Sequence, residues 1–326
     1  MPSLRDVAEQ AGVSVSTASI ALRHDTRVKE STRRRVLSVA EEIGYRPNGA
    51  ARDLKSRRTG MIAILLHDLG GPFYSELLRG VSTRAQANGL TALVCTSALD
   101  RGGELTRLLR EKRVDGAIIL DSSISEDDIL EVASPSLPLI LLDRQIQHPN
   151  LYSVLCDHRS GAYMATLHLI DAGYRDIGII LGPSDSHHSH LREEGALQAC
   201  RLRQCVPRPD HIWHGAFTES SGYQLVDSVL ASDDVPRAIF VANDEMAVGL
   251  MRGLLERGVR IPDDVALAGF DDIRITQYVS PPLTTVRQPM YELGILAADT
   301  LMRALRGDED ITPIVLQTEL VVRGSS

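Results

Sequence analysis

The sequence predicts an all-α helix-turn-helix head followed by an α/β body of two doubly wound parallel-sheet subdomains. Three observations predict it. The first 46 residues carry three short helical stripes and no strand pattern, and beyond residue 60 short apolar runs alternate with helical stretches. The charge also changes sign between the two regions: residues 1–60 hold 12 Lys and Arg against 7 Asp and Glu, a net of +5, which leaves −13 on the remainder of a chain whose total is −8. A basic head on an acidic body suits a protein that meets phosphate with its head alone, the body's repulsion limiting non-specific contact. The 326 residues, 43% of them apolar, are enough for two or three bodies with sizeable cores.

In the head, Ser3 and Asp6 read as a capping box. Leu4, Val7, Ala8 and Ala11 follow on one helical stripe; Gly12 supplies the positive φ of a tight turn and Val13 is the apolar plug after it. Ser14 can cap a second helix, Val15 to Leu22, with Ala18, Ala21 and Leu22 inward and Val15, Ser16, Thr17, Ser19 and Ile20 outward. A third helix, about 30–43, buries Val36, Leu37, Ala40 and Ile43 and ends at Gly44. Lys29 stands where a small capping hydroxyl is expected, so the helix is capped from Ser31 or begins later. Two short helices on a glycine turn with a third closing the core form the helix-turn-helix pattern. The small hydroxyl residues on the second helix, with Arg23, Arg27, Lys29, Arg33, Arg34 and Arg35 nearby, point to nucleic acid rather than to a plain helical bundle.

Residues 47–59 are basic and rich in small side chains, with Leu54 as the one large apolar group. They suit either a solvated linker or a short helix that folds only against DNA. In the body, candidate strands are Met61–Leu66, Leu90–Cys95, Gly116–Leu120, Leu137–Leu142, Ile177–Leu181, Ala238–Val241 and Val265–Gly269. Helical stretches lie between them at Tyr74–Asn88, Arg159–Ala172, Arg192–Arg203, Ser220–Ala231 and Met246–Arg257. Alternating βα units imply parallel sheets covered on both faces, and their number implies two subdomains, with a break near Asp157. Polar or aromatic groups follow the strands at Asp68 to Tyr74, Asp143, Gly182, Asn243 and Asp271, where such sheets bind ligands, although Asp244 reads as an ordinary helix cap.

The wording of the head closely resembles the lactose/galactose repressor (LacI/GalR) family. The matching blocks are Asp6-Val7-Ala8, Ala11 to Ser19, Thr32 to Val36 and Gly44 to Asn48. The likeness continues in the body, notably at Pro72-Phe73-Tyr74, Gly182-Pro183, Arg192, Ser221-Gly222-Tyr223, Ala242 to Ala247, Gly269 to Asp272 and Pro282 to Pro289. The resemblance implies an effector domain similar to periplasmic sugar-binding proteins. It divides the chain into a head (1–46), a hinge (47–59) and an effector and dimerisation body (60–326). Within the body, one subdomain takes about 60–157 and 289–316, the other about 158–288 and 317–326.

By that resemblance the partner is a pseudo-palindromic operator duplex gripped by a homodimer. Ser14, Val15, Ser16, Thr17, Ser19, Ile20, Arg23 and Arg27 of the head and Asn48, Ala51, Arg52, Leu54 and Lys55 of the hinge would meet DNA, Leu54 wedging between base pairs in the minor groove. Asp68, Phe73, Tyr74, Asp143, Arg192, Phe217, Asn243, Asp271 and Gln288 would enclose a small-molecule effector, a sugar first, with a nucleobase or another metabolite as alternatives. An aromatic face packs such a ring while Arg, Asn and Asp supply donors and acceptors. Whether the effector releases DNA or favours its binding stays open. Four positions depart from the family: Ile20, where Arg is frequent; Lys29, where a small hydroxyl is usual; Gly71, where Asn is frequent; and His158, where Asn often follows the aspartate.

Other functions fit less well. No G-x-G-x-x-G follows the first strand, and neither a P-loop nor a nucleophile elbow is present, which argues against an enzyme. A periplasmic binding protein would not carry the basic head, and the start shows no apolar run behind basic residues. No stretch approaches the length of a spanning helix, so no membrane role and a cytoplasmic location are expected. Cys95, Cys156, Cys200 and Cys205 are scattered as reduced thiols are. His187-His188-Ser189-His190 reads as a solvated Ser-rich loop with only Asp185 as a nearby carboxylate, so neither a metal nor a cofactor is expected. The C-terminus carries no leucine heptad, so the tetramer-forming coil of some relatives has no counterpart.

Overall fold

Ser3 and Asp6 close the first helix as the sequence predicts: Ser3 N–H donates to Asp6 Oδ2 at 2.7 Å and Asp6 N–H to Ser3 Oγ at 3.3 Å. The computed structural model describes residues 2–22, 27–46, 58–67, 69–97, 103–231, 234–308 and 310–326. Contacts divide the chain into two units, Met1–Thr59 and Gly60–Ser326.

In the first unit, α1 (Leu4–Gln10) ends where Gly12 takes φ +61°. Gly12 N–H then donates to Glu9 carbonyl at 3.1 Å and Val13 N–H to Ala8 carbonyl at 3.0 Å. The paired bonds satisfy two carbonyls that the helix end would otherwise orphan, and they fold Val13 back onto the core. The same device ends α3 (Glu30–Glu42), where Gly44 has φ +67° and Tyr45 N–H reaches Ala40 carbonyl at 2.8 Å. Between them, α2 (Val15–Ala21) starts at the Ser14 cap. Val7, Ala8, Ala11, Ala18, Ala21, Val36 and Ala40 form the core, while Leu37 and Ile43 are only half-buried. Ser31 does not cap α3. Lys29 holds that position without a side-chain bond, and Glu30, at the positive end of the helix, pairs with Arg33 and Arg34 instead.

The second unit runs β1 (Met61–Leu66), α4 (Phe73–Ala87), β2 (Thr91–Thr96), α5 (Glu104–Arg110), β3 (Gly116–Ile119), α6 (Glu126–Val132), β4 (Leu139–Leu142) and β5 (Leu151–Cys156). It continues with α7 (His158–Asp171), β6 (Ile177–Leu181), α8 (His187–Leu202), β7 (Ile212–His214), α9 (Glu219–Gln224), α10 (Val226–Leu230), β8 (Ala238–Val241), α11 (Asp244–Glu256), β9 (Ala266–Asp271) and β10 (Thr284–Arg287). It closes with α12 (Met290–Arg306), β11 (Ile314–Leu316) and β12 (Glu319–Val321).

Among the described residues these strands make two six-stranded sheets, ordered β11-β5-β4-β3-β1-β2 and β12-β10-β9-β8-β6-β7. Every described neighbouring pair is parallel except β10 with β12. Both sheets are wound alike, each reversing its order beside its first strand, at β1/β3 and at β6/β8. Such switch points open a crevice at the carboxyl ends of the strands. The central strands of each sheet are buried on both faces. In β1, Ile62, Ile64 and Leu66 enter one core with α4 and α12, while Ala63 and Leu65 enter another with α5 and α6. Continuous apolar strands are the sequence mark of that arrangement.

The structure corrects several elements. Strands β5, β7, β10, β11 and β12 were not among the expected ones: three are only three residues long, and β5 and β10 mix polar with apolar side chains. The fourth strand starts at Leu139 rather than Leu137, behind Pro138, whose ring nitrogen has no proton to donate to a ladder. The helix expected over Ser220–Ala231 divides at Leu225, where ψ is −14°. Helix α8 begins at His187, capped by Ser186, so the three histidines stand on its first turn and not in a solvated loop.

Candidate functional site

Each unit carries a candidate site. On the head, Ser14 Oγ accepts from Thr17 N–H at 3.1 Å and lies 2.8 Å from Thr17 Oγ1, fixing the start of α2. Ser14, Val15 and Ser16 are exposed, Val15 by 43% although it is apolar. Thr17, Ser19 and Ile20 are half-buried, so the outward face is narrower than the sequence pattern suggests, because Thr17 turns its hydroxyl to the cap. Arg27 is exposed. Arg23 and the hinge residues Asn48, Ala51, Arg52, Leu54 and Lys55 lie outside the described residues, as does Asp68 of the body.

In the body, Gly195 lets α8 lie against α7: a Cβ there would sit 2.1 Å from Arg159 carbonyl oxygen. That close approach sets Arg192 of α8 beside His158 of α7. Arg192 is 4% exposed. Its Nη1 donates to Ala242 carbonyl, its Nη2 lies 3.4 Å from Asp271 Oδ1, and Nε and Nη2 both face His158 Nδ1 at 3.4 Å. Its guanidinium lies over the Phe270 ring, 4.0 Å from the centroid, and 5.9 Å from that of Phe217. Gln288 Nε2 donates to Asp271 Oδ1 at 2.6 Å, while Gln288 Oε1 is buried with no partner. Asn243 caps α11 through Met246 N–H and donates to Phe217 carbonyl, both at 3.0 Å. Phe73 and Tyr74 stand edge to face, centroids 5.4 Å apart, half-buried on the first core.

Asp143, which follows β4 in the first sheet, reaches across to the second. Its Oδ2 is 3.2 Å from His158 Nε2 and 3.9 Å from His188 Nε2, and its Oδ1 accepts from Cys156 N–H at 2.6 Å. The structure therefore brings Asp143, Arg192, Asp271 and Gln288 into one chain of contacts through His158, with Phe217 and Asn243 against it. A cavity of about 350 Å³ opens beside Asp143, lined by Asp121, Ser122, Asp143, Arg144, Gln145 and the 185–188 turn among others. Asp121 Oδ2 is a second buried oxygen there without a partner. Gly71 precedes α4, and Phe73 and Tyr74 are the first residues of that helix, outside this chain of contacts.

The electrostatics follow from burial against neighbouring charge. Burial by itself would raise the Asp143 carboxyl, but His158, His188 and the Cys156 N–H outweigh it and hold the group at about 2. Burial raises Asp271 despite Arg192, and it raises Asp244 well above the usual carboxylate range, with Asp271 adding to it. Burial pushes the His188 imidazole down, with the neighbouring His158 acting the same way. Asp244 is not the cap expected of it. Asn243 caps α11, while Asp244 accepts from Thr285 Oγ1 at 2.6 Å and Ile273 N–H at 3.0 Å, tying β10 to the segment after β9. Non-glycine residues with positive φ gather here too, at Asp143 (51°), Phe217 (59°), Asp271 (121°) and Asp272 (57°), the kind of backbone that clusters at ligand sites. The sequence marked His158 only as a departure from the family and set His188 aside within a solvated loop, so neither was placed in the site.

Residues 3–48 match the model of bacterial regulatory proteins of the lacI family, and residues 166–326 that of a periplasmic binding protein-like domain. The HTH-type transcriptional repressor PurR of Aliivibrio salmonicida is 32% identical over 309 residues, covering 94% of this chain and 93% of its own length. The crystal structure of the lac repressor dimer bound to operator and the anti-inducer ONPF is similar with a TM-score of 0.87 at 29% identity, over 99% of this chain and 98% of the other. A LacI family transcriptional regulator from Enterococcus faecium, solved with bound ribose, is similar with a TM-score of 0.73 at 31% identity, over 82% of this chain and 98% of the other. No helix of the described residues is long and apolar enough to cross a membrane.

Proposed function

The chain belongs to the LacI family of bacterial regulatory proteins, and from that premise we propose that it is a cytoplasmic, homodimeric repressor controlled by a small molecule in the body's cleft. The observation that carries the DNA reading is the start of α2. Ser14, Val15 and Ser16 are exposed on the first turn of a firmly capped helix, in the basic head of an otherwise acidic chain. A second helix so presented enters a major groove, with its first residues at base edges. Two heads of a homodimer then take two half-sites, and the basic hinge at 47–59 supplies the minor-groove contacts.

The effector reading rests on a dry cation, Arg192, held by the Asp271 carboxylate, the Ala242 carbonyl and two aromatic rings at the carboxyl ends of the strands. Asp143, Arg192, Phe217, Asn243, Asp271 and Gln288 support it, with the unpartnered Gln288 Oε1 and Asp121 Oδ2 as acceptors for ligand hydroxyl or amino groups. Phe73 and Tyr74, at the start of α4, would line the cleft from the side of the first sheet. Similarity to a ribose-bound regulator favours a sugar. Effector binding would shift one sheet against the other and change how the hinge pair meets DNA.

A thermal-shift screen of pentoses, hexoses and nucleosides tests the cleft. A true ligand raises the melting temperature by mass action, and the rise is lost in Arg192→Ala. A rise retained in that variant, or none with any compound, counts against the site.

A further inference from the structure

We propose that Asp143, His158 and His188 form a site for a divalent cation of the zinc class, bridging the two sheets at the mouth of the cleft. The inference goes beyond effector binding: it adds an inorganic ligand that nothing in the family assignment requires. Two imidazoles and a carboxylate are a donor set that zinc-class ions take, with one position left for an outer ligand. One ligand atom from each residue lies within 4.8 Å of the others.

Two edges of the triangle are nearly formed, at 3.2 Å (His158 Nε2 to Asp143 Oδ2) and 3.9 Å (His188 Nε2 to the same oxygen). Tetrahedral zinc with bonds near 2.0–2.2 Å sets its donors about 3.3 Å apart, so a displacement of about 1 Å by His188 completes the site. His188 has the freedom, being 28% exposed and on the first turn of α8.

A further observation points to a ligand. His158 is 2% exposed, and its Nε2, although 3.2 Å from Asp143 Oδ2, makes no well-aligned hydrogen bond to it or to any other group. The rings of His158 and His188 face each other at 5.0 Å with a tilt of 33°, which leaves the ring edges free to converge on one ion. The open side of the site faces the cavity of about 350 Å³, so a small oxygen or nitrogen donor can reach the ion.

Arg192 sets the cost. Its Nε and Nη2 face His158 Nδ1 at 3.4 Å and are donors only, so in the metal-free protein the imidazole proton sits on Nε2. A cation on Nε2 displaces that proton to Nδ1, and Arg192 must withdraw from His158 while keeping Asp271 and the Ala242 carbonyl. Loading therefore releases the residue that anchors the effector, without net proton loss. The ion also ties β4 of the first sheet to α7 and α8 of the second.

The test is a titration of the tag-free full-length protein with Co²⁺, read by visible absorption, and with Zn²⁺, read by calorimetry and melting temperature. One saturable equivalent, a raised melting temperature and at least a tenfold weaker affinity in both His188→Gln and His158→Asn are expected, each variant's rise being read against its own metal-free melting curve. If a variant melts early, the other carries the comparison, with Asp143→Asn as a third. Absence of a saturable equivalent, or unchanged affinity in folded variants, overturns the proposal. The titration uses neither DNA nor an organic effector, so its failure is separate from any failure of the repressor reading.

Discussion

Arg192 has no idle nitrogen although it is dry, and that makes it informative. His158, Asp271 and the Ala242 carbonyl take its donors, and Phe270 takes its face. Removing the cation leaves Asp271 buried beside Asp244, whose carboxyls already suffer from burial. Arg192→Ala is expected to lose about 3–5 kcal/mol in denaturant unfolding, the usual penalty for orphaning a buried charge. Asp143 gives a pH signature. Its carboxyl, held at about 2 in the folded chain against an ordinary 3.8, contributes stability that is complete above pH 3.8 and lost as the pH falls towards 2. That contribution is about 2 kcal/mol. Melting temperature between pH 5 and 2 should fall less steeply in Asp143→Asn than in the parent; parallel curves would refute the assignment. Arg192, Asp271 and Gln288 were legible in the sequence because they stand in family blocks. His158 and His188 were not, because their partner Asp143 lies 15 and 45 positions away and only the packing of α7 on α8 brings them to it.

At the scale of elements, the sequence was most informative where a local device fixes the outcome. The capping box at Ser3, the Ser14 cap and the turns at Gly12 and Gly44 all depend on bonds within a few residues, and all form. Apolar strands buried on both faces, such as Ile177–Leu181, were equally plain. Edge and crossover strands were not: β11 and β12 are three residues long and half-exposed, and only their neighbours make them strands. Helix α2 carries two predictions. Ser14→Ala should cost the head about 1 kcal/mol, read in its thermal unfolding, because Thr17 N–H loses its acceptor. Ile20 offers an apolar contact and no donor, so the selected operator should lack a fixed guanine opposite it, and Ile20→Arg should introduce one. Selection from a random duplex pool decides between these outcomes.

For the whole molecule, the account joins a basic head, a hinge and a two-sheet body into one regulator. If Leu54 is the wedge that the family resemblance implies, Leu54→Ala should leave the head's melting unchanged and weaken operator binding. A band-shift titration with undiminished affinity would exclude that role. The central claim is that the head reads sequence. Its most direct measurement is the affinity of the full-length protein for its best selected duplex and for a scrambled one, by fluorescence anisotropy across a range of salt concentrations. The account predicts a preference of about 10³-fold or more that survives rising salt, while binding to both duplexes weakens as counterions compete. Equal affinity for the two duplexes at every salt concentration would contradict it.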